Sequence, residues 1–559
     1  MTISPSIFKA YDIRGIVGDT LTADAARLIG RAIGSEARER KVGTICVGRD
    51  GRLSGPELTN ALSDGIRAAG VDVIDVGRVA TPMLYFAAYQ LETYSGVMVT
   101  GSHNPPDYNG FKMMLDGDTL AGDWIQKLYQ RIVDNDFADG HGGYSTHDIV
   151  DAYLNRITGD IKLARPMKVV VDCGNGVAGD FAPELFRGLG CEVHKLFCEV
   201  DGTFPNHHPD PAKPENLQDV IRTLRDTDAE IGLAFDGDGD RLGVVTKDGS
   251  IIWPDRQLIL FAQDVLSRQP GSKIIYDVKC TRLLAPAIKA AGGVPMINRT
   301  GHSFMKAALK ANPDAGLAGE MSGHVFFKER WYGFDDGLYA GARLLEILSR
   351  SDDPGRELEA LPQGISTPEL KLPMAEGEPH AFIRRLQSEG RFPGATDRVT
   401  IDGIRAEVKA QGGYSLLLDG GDVNTGVPES DLQDAEPDFK GMNRLGYDAM
   451  AVGNHEFDKP LAVLQKQQRW IDFPMLAANV YKDGRRLFRP YQIFNLGGVK
   501  VAVMGLTTDD TWKLVSPDNV KGVEFRQPAT EAAALMPELK ARANVVIAAT
   551  HMGHYTNGN

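Results

Sequence analysis

Three segments of the chain repeat one pattern of hydrophobic and polar positions. Each has a short β-branched run, a polar loop, an amphipathic stretch that ends at glycine, and a second apolar run. Short β-branched runs predict strands, and apolar residues three or four positions apart predict helices. The predicted units span residues 44–74, 168–193 and 273–295, with helices near 56–69, 181–189 and 283–291. Because such units build mixed sheets covered by helices, we expect three related α/β domains.

The pattern changes after Pro354, where Pro, Glu and Gly become more frequent and a fourth segment begins. A short strand is predicted over Asp397–Asp402. From Gly413 onward, the predicted strands end in residues that can bind metal ions, namely Asp422, Asn454, His455, His551 and His554. Ligands at strand ends are typical of an α/β metal site, so we expect a different kind of α/β domain in this part.

Length and composition indicate a folded protein of several domains. A chain of 559 residues is too long for one core, and the usual domain size predicts roughly three to five domains. Apolar residues at 42% and charged residues at 24% exclude a disordered or fibrous chain. A net charge of -14 without a Lys/Arg-rich run argues against a nucleic-acid partner.

The sequence also bears on compartment and redox state. The N-terminus lacks the basic start and apolar run of a signal peptide, and no apolar stretch reaches the length of about 18 residues that a membrane span needs. We therefore expect a cytoplasmic protein with no membrane partner. The five cysteines form an odd set without C-x-x-C spacing, which predicts reduced core thiols rather than a zinc site or disulfides.

Candidate chemistry begins in the loop Thr100–Lys112, which follows the apolar run Gly96–Thr100. Ser102 lies at the end of this predicted strand among backbone N–H groups, and Lys112 follows ten residues later. This arrangement suits a nucleophile that carries a dianionic phosphoryl group. The alternative is a Pro/Gly turn that contains a serine by chance.

A second loop, within Ile231–Val245, carries alternating carboxylates at Asp236, Asp238 and Asp240. Alternate residues of an extended loop point the same way, and the intervening glycines let the backbone fold around one cation. Three hard oxygen donors suit Mg²⁺. An EF-hand calcium site is disfavoured, because Arg241 occupies the position at which an EF-hand requires glycine. The alternative, a solvated acidic turn, would leave three carboxylates repelling one another.

A third motif, Gly319–Val325, places Glu320, Ser322 and His324 close together, with His302 upstream. Glutamate and serine can accept hydrogen bonds from neighbouring sugar hydroxyls, and the histidines can contact ring or phosphate oxygens. Taken alone, the motif is equally compatible with an ordinary loop.

In order and spacing these motifs closely resemble the α-D-phosphohexomutase family, in its phosphomannomutase/phosphoglucomutase branch. The resemblance covers residues 1 to about 411 and includes the opening motif Lys9–Gly15, while Met321 is typical of the mannose/glucose branch. It implies the following roles: Tyr11 and Arg14 at the active site, Ser102 as phosphoserine, His103 and Lys112 as its acid/base neighbours, Ser102, Asp236, Asp238 and Asp240 as Mg²⁺ ligands with Arg241 beside them, and Lys279, His302, Glu320, Ser322 and His324 as sugar contacts.

The resemblance also implies the reaction. A phosphoryl group passes between O1 and O6 of a hexose phosphate through phosphoserine and a hexose 1,6-bisphosphate, which then acts as the activator. The expected partners are small-molecule hexose phosphates.

The C-terminal part resembles a second family, the calcineurin-like metallophosphoesterase domain of periplasmic 5′-nucleotidase/UDP-sugar hydrolases. The resemblance rests on Leu416–Asp431, Val452–Asp458 and Ala549–His554 and covers about residues 412–559. It implies metal ligands at Asp422, Asn454 and His551, and a transition-state dyad of His455 and Asp458. Two-metal hydrolysis also needs an upstream Asp-x-His, and the sequence has that spacing only at Asp139–His141. We therefore expect this site to be vestigial.

These resemblances predict five domains, at 1–148, 149–253, 254–366, a truncated fourth at 367–411, and 412–559. Phosphohexomutases grip the distal phosphate with a fourth-domain Arg-x-Ser-Asn-Thr-type loop, which does not follow Arg405 in this sequence. Both families contain a sequence similar to Asp402–Arg405, so we expect the two parts of the chain to be fused at that tetrapeptide. The fusion would arise from a gene rearrangement or from an error in sequence assembly. The alternatives to an impaired mutase are a metal-dependent phosphatase and a folded, inactive fusion that promotes association.

Overall fold

A computed structural model describes residues 3–364, 378–392, 395–408, 416–423 and 433–552. The chain divides into two compact units. The first comprises residues up to Arg391 together with Arg398–Arg405, and the second comprises Phe392–Asp397 and the residues from Ala406 onward. Among the described residues, no helix combines the length and apolar character needed to span a membrane.

The first unit begins with a seven-stranded mixed sheet in the order β1-β5-β4-β2-β3-β7, with β6 beside β5. The strands are β1 Ile13–Ile16, β2 Thr44–Arg49, β3 Asp72–Arg78, β4 Gly96–Val99, β5 Tyr108–Leu115, β6 Asp118–Thr119 and β7 Tyr144–Thr146. The helices are α1 Ala23–Glu39, α2 Gly55–Ala68, α3 Thr81–Gln90, α4 Asp123–Val133 and α5 Val150–Asp160. Because β2 and β4 pair in parallel, the loops after these two strands meet at one sheet edge.

A second sheet of five strands has the order β12-β11-β10-β8-β9. Its strands are β8 Lys168–Asp172, β9 Glu192–Leu196, β10 Ile231–Phe235, β11 Leu242–Thr246 and β12 Ile251–Ile252, with helices α6 Ala182–Gly188 and α7 Gln218–Asp226. Strands β10 and β11 form an antiparallel pair whose connecting loop carries the three alternating aspartates.

A third sheet of four strands has the order β14-β13-β15-β16. Its strands are β13 Lys273–Asp277, β14 Val294–Asn298, β15 Ala315–Gly319 and β16 Val325–Phe327. The helices are α8 Pro254–Arg268, α9 Leu284–Ala290, α10 His302–Ala311, α11 Gly337–Leu348 and α12 Pro354–Glu359. Then follow α13 Glu378–Glu389, β17 Ala395–Val399 and β18 Arg405–Val408.

The core of the first unit explains why these sheets hold their loops rigidly. One continuous apolar cluster includes side chains from all three sheets and their helices. Within it, Trp331 stacks on Tyr339 with ring centroids 4.1 Å apart, and Phe86 packs edge-on against Tyr153. Close-packed aromatic interiors resist deformation, so the loops at the strand ends have fixed supports.

The second unit contains three small sheets, in the orders β19-β20-β21, β23-β22-β26 and β24-β25-β27. The strands are β19 Leu418–Asp419, β20 Ala449–Ala451, β21 Met475–Leu476, β22 Val480–Lys482, β23 Arg485–Arg486, β24 Tyr491–Leu496, β25 Val499–Thr507, β26 Val523–Phe525 and β27 Val545–His551. The helices are α14 Glu436–Leu445, α15 Leu461–Gln467, α16 Thr511–Leu514 and α17 Pro528–Arg542.

The structure confirms the α/β architecture predicted from the sequence. The predicted units at 168–193 and 273–295 begin with the strands Lys168–Asp172 and Lys273–Asp277, and the helix predicted near 56–69 spans Gly55–Ala68. The strand predicted at 397–402 begins and ends earlier, at Ala395–Val399. His554 and the stretch 424–431 of the predicted C-terminal motif lie outside the described residues.

Candidate functional site

The Ser102 loop is held in a strained conformation at the carboxyl end of β4. Ser102 has a φ of 49°, in the left-handed region that costs an L-residue about 1 to 2 kcal/mol. Its N–H donates to Thr100 Oγ1 at 2.8 Å, and its buried hydroxyl donates to Asp236 Oδ2 at 3.1 Å. His103 Nδ1 lies 3.2 Å from the same hydroxyl oxygen. The nucleophile candidate therefore faces the carboxylate loop.

Two residues that the sequence did not single out, Asp50 and Arg52, hold this loop. The Arg52 guanidinium is fully buried and donates to the carbonyls of Ser102, Asn104, Pro105 and Tyr108 at 2.5–2.9 Å. The Asp50 carboxylate accepts from Thr100 Oγ1 at 2.7 Å. Asp50 and Arg52 follow the end of β2, and only the parallel pairing of β2 with β4 in the fold places them beside the Ser102 loop.

We expect Arg52→Lys to lower the kcat of the phosphoryl transfer that the sequence resemblance implies about 10-fold to 100-fold, while leaving the KM for its substrate nearly unchanged. A lysine ammonium cannot bridge four carbonyls in the fork geometry of a guanidinium, so Ser102 would no longer be held in its left-handed conformation. Steady-state kinetics and thermal unfolding of the variant measure this. The matched control is Arg27→Lys, on the half-exposed face of α1, which should change neither quantity. A variant with raised KM and normal kcat would contradict the prediction.

The three alternating aspartates converge in a fully buried cluster. All three have 0% exposure, and their carboxylate oxygens lie within 4.8 Å of one another. Asp236 Oδ1 accepts from the backbone N–H groups of Gly239, Asp240 and Arg241. This bonding closes the loop around Asp236 and directs the other two carboxylates to the same point.

The cluster fits a divalent metal ion. In the described part of the chain, Asp238 Oδ1 is buried without a hydrogen-bond partner, and Asp240 Oδ1 is approached only by His324 Nε2, at 3.3 Å. Burial and the neighbouring carboxylates raise the pKa of Asp236 well above its usual range. Three buried carboxylates are stable together only beside a cation, and hard oxygen ligands favour Mg²⁺-like ions.

Lys112 supplies one positive charge to this cluster. Its ammonium donates to Asp238 Oδ2 at 2.7 Å and to Asp240 Oδ2 at 2.5 Å. Burial alone would lower the pKa of Lys112, but the two carboxylates outweigh it and hold the pKa well above the usual value. Lys112 neutralises only part of the negative charge, because the cluster holds three carboxylates and the ammonium contacts two of them.

Two arginines, Arg241 and Arg14, add positive charge near His103. Arg241 Nε lies 3.3 Å from His324 Nε2, and Arg14 forms an ion pair with Asp12. The positive charge of Arg241, together with burial and Arg14, holds the pKa of His103 far below its usual value. His103 is therefore a neutral ring that can accept a hydrogen bond but takes up a proton poorly.

The third motif forms a connected acceptor group beside the metal loop. His324 Nδ1 lies 2.9 Å from Glu320 Oε2 and 3.0 Å from Ser322 Oγ. Burial would lower the pKa of His324, but Asp240 and Glu320 raise it to about 9. The His302 ring lies 5.9 Å from the His324 ring and 5.8 Å from the Tyr11 ring. Lys279 is exposed and lies just after the carboxyl end of β13.

The second unit also brings its predicted residues together. His551 Nε2 lies 2.9 Å from Asp422 Oδ2 and 3.1 Å from Asn454 Oδ1. His455 Nδ1 lies 2.6 Å from Asp458 Oδ2, which gives the predicted histidine–aspartate pair. Over the described residues of this unit, no group of three or more His, Cys, Asp or Glu side chains is spaced to hold a metal ion.

Sequence reasoning missed Glu456, which organises this second cluster. Its buried carboxylate accepts from the backbone N–H groups of Asp422, Val423 and Gly453 at 2.6–2.9 Å. Burial raises the pKa of Glu456 above its usual value. The residue fixes the loop that carries Asp422, whose φ of 68° is also left-handed.

Family comparisons match both parts of the chain. Residues 5–139, 151–249 and 253–364 match the phosphoglucomutase/phosphomannomutase alpha/beta/alpha domains I, II and III. Residues 388–559 match the calcineurin-like phosphoesterase family.

Individual relatives agree with the family matches. A phosphoglucomutase of Neisseria meningitidis is 63% identical over 408 residues, which is 72% of this chain and 88% of the relative. A solved structure of a phosphoglucomutase/phosphomannomutase family protein from Burkholderia thailandensis has 61% identity and a TM-score of 0.70, covering 73% of this chain and 90% of that one.

The C-terminal part has its own relative. A 5′-nucleotidase of Vibrio parahaemolyticus is 60% identical over 174 residues, which is 30% of this chain but only 31% of that protein. Both resemblances inferred from the sequence are thereby confirmed. The chain belongs to the phosphoglucomutase/phosphomannomutase family and carries, in its C-terminal part, a calcineurin-like phosphoesterase segment.

Proposed function

We propose that this chain transfers a phosphoryl group between O1 and O6 of glucose or mannose phosphates through phosphorylated Ser102. The observation that carries the proposal is the contact of the Ser102 hydroxyl with Asp236, at 3.1 Å, in a cluster of three buried carboxylates. A serine hydroxyl beside a cation site and a neutral histidine is suited to carry a phosphoryl group. The family is metal-dependent and acts on small-molecule hexose phosphates.

We assign Mg²⁺ to Ser102, Asp236, Asp238 and Asp240. The bound ion would supply positive charge to the transferring phosphoryl group. The residues of the chain do the rest. Asp236 orients the Ser102 hydroxyl at 3.1 Å, and His103, whose Nδ1 lies 3.2 Å from the same oxygen, is a neutral ring that can accept its hydrogen bond. Lys112 keeps Asp238 and Asp240 in place.

We assign substrate binding to the residues beyond the metal loop. Glu320, Ser322 and His324 offer acceptors and a donor for sugar hydroxyls, while Tyr11, His302 and Lys279 complete the sugar site. We assign the phosphoryl group to Arg14 and Arg241, whose planar cationic donors can bind phosphate oxygens in pairs. We also propose the domain boundaries predicted from the sequence, with residues 367–411 as the truncated fourth domain.

We expect turnover to depend on added hexose 1,6-bisphosphate. The Arg-x-Ser-Asn-Thr-type loop expected from the family does not occur after Arg405 in the sequence. Loss of one charge-assisted contact to the distal phosphate corresponds to about a 10-fold to 100-fold loss in affinity. The intermediate should escape before it reorients, leaving Ser102 unphosphorylated. Added glucose 1,6-bisphosphate should therefore raise the rate at least about 10-fold.

A coupled assay on glucose 1-phosphate and mannose 1-phosphate, with and without bisphosphate, measures this dependence. The matched control is the related phosphoglucomutase of Neisseria meningitidis, which should respond much less. Many turnovers at full rate without bisphosphate would show that another part of this chain holds the distal phosphate. No conversion under either condition would refute the mutase proposal itself.

The second candidate function is hydrolysis of a phosphate ester by the second unit. It is favoured by the contact of His551 with Asp422 and by the His455–Asp458 pair. Phosphate release from a 5′-nucleotide, measured beside the mutase assay, separates the two functions. We expect no release above background, because Asp422, Asn454 and His551 do not complete a two-metal ligand set.

A further inference from the structure

A largely buried lysine, Lys306, whose side chain is 9% exposed, lies directly behind the sugar-site histidine. Lys306 follows His302 by one helical turn on α10, so the two side chains share a face. Lys306 Nζ lies 3.1 Å from His302 Nδ1. The His302 ring is itself buried, with 4% exposure. This contact constrains the chemistry of the ring.

The lysine is fixed by two further buried groups. Its ammonium donates to Asp335 Oδ1 at 2.8 Å and lies 3.1 Å from the hydroxyl oxygen of Tyr85. Asp335 and Tyr85 have 0% exposure. A buried ammonium that faces a buried carboxylate keeps its charge, because losing the proton would leave that carboxylate without a counter-charge. Lys306 is therefore a permanent donor.

A permanent donor at Nδ1 determines the state of the ring. An ammonium has three N–H donors and no acceptor, so at 3.1 Å it favours a lone pair and no proton on Nδ1; the nearby acceptor Asp335 Oδ2 is 3.7 Å from Nδ1, beyond hydrogen-bond distance. The neutral ring then bears its proton on Nε2. That nitrogen is buried and has no hydrogen-bond partner within the described part of the chain. A buried donor without a partner is costly unless a ligand supplies an acceptor.

The ring lies where a substrate acceptor would be. His302 faces the Tyr11 and His324 rings, at 5.8 Å and 5.9 Å between centroids, and His324 contacts Asp240 of the metal loop. We propose that Lys306 is a positioning residue that fixes the neutral Nε2–H form of His302, so that His302 donates a hydrogen bond to an oxygen of the bound hexose phosphate. The inference rests on the proposed function, because the acceptor belongs to its substrate.

The tautomer can be measured on the unmodified full chain. Histidine labelled with ¹⁵N gives ring spectra that distinguish a protonated from a bare nitrogen, and His302→Gln identifies the signals of this ring by their loss. At neutral pH we expect His302 to carry a proton on Nε2 and none on Nδ1. A proton on Nδ1, alone or with one on Nε2, would overturn the proposal. This measurement does not depend on turnover.

The role in binding is tested by titrating glucose 1-phosphate into the same labelled chain. We expect the His302 Nε2 signal to shift on binding, while the Nδ1 signal remains that of an unprotonated nitrogen. Binding that leaves the Nε2 signal in place would overturn the hydrogen bond to substrate. A chain with the expected tautomer and shift but no mutase activity would instead refute the proposed function and leave this inference standing.

The positioning role is tested by Lys306→Met, which nearly keeps the length of the side chain and removes its hydrogen-bond donor. We expect the hexose-phosphate KM to rise about 10-fold to 100-fold, kcat to change less, and the ring to lose its single tautomer. The matched control is Lys310→Met on the same helix, whose exposed lysine pairs with Asp118. It should change none of these. Unchanged KM and ring signals in Lys306→Met would overturn the proposal.

Discussion

A Ser102→Ala chain is expected to lose mutase turnover by about 10⁴-fold or more and to carry no covalent phosphate, because the group that forms the intermediate is removed. The Ser102 hydroxyl faces Asp236 and His103 at 3.1 and 3.2 Å. Intact mass measured after incubation with glucose 1,6-bisphosphate reports the phosphate, and the coupled assay reports turnover.

Two further variants separate chemistry from folding. Ser102→Gly also removes the hydroxyl but suits the left-handed backbone, so it should be as inactive as Ser102→Ala and more stable by about 1 kcal/mol. Ser35→Ala removes a buried serine that bonds Arg31 O and Ala138 N, far from the site, and should keep both phosphate and turnover. A Ser102→Ala protein that still gains the phosphate mass would refute the assignment.

The sequence predicted the parts of the site that depend on local spacing. Asp236, Asp238 and Asp240 lie within five consecutive residues, between two strands with clear apolar patterns, so their convergence required only the local fold. Ser102 was recognisable for the same reason, because it directly follows a short apolar strand. Short-range periodicity carries this kind of information reliably.

The supporting residues could not be predicted in the same way. Arg52 contacts the carbonyl of Ser102 across 50 positions, and Lys306 contacts Tyr85 across 221. In the sequence these residues look like ordinary solvated charges on a turn and on a helix. Their burial depends on which strands pair and which helices pack together, and that is a property of the tertiary fold. Glu456 was missed for the same reason, since its partners are backbone groups.

Replacing Asp238 by Asn is expected to lower phosphoryl transfer about 1000-fold and to weaken the response of the rate to Mg²⁺. The variant keeps the size of the side chain but removes one of three buried charges, which weakens metal binding. A loss of several kcal/mol of stabilisation by the metal gives a rate change of this order. Thermal unfolding checks that the contacts of position 238 with Thr81 and Lys112 still support the fold. The measurement is the transfer rate as a function of Mg²⁺ concentration.

The matched control makes the same change in the second unit. Asp422→Asn removes the carboxylate that His551 contacts at 2.9 Å, and a chain that ends at Gly412 removes the cluster entirely. If the metal that serves transfer is bound by the aspartate loop, both controls should retain the transfer activity and Mg²⁺ response of the starting chain. A loss in either control as large as that in Asp238→Asn would place an essential metal ligand in the phosphoesterase segment, contrary to the assignment argued from the buried carboxylates.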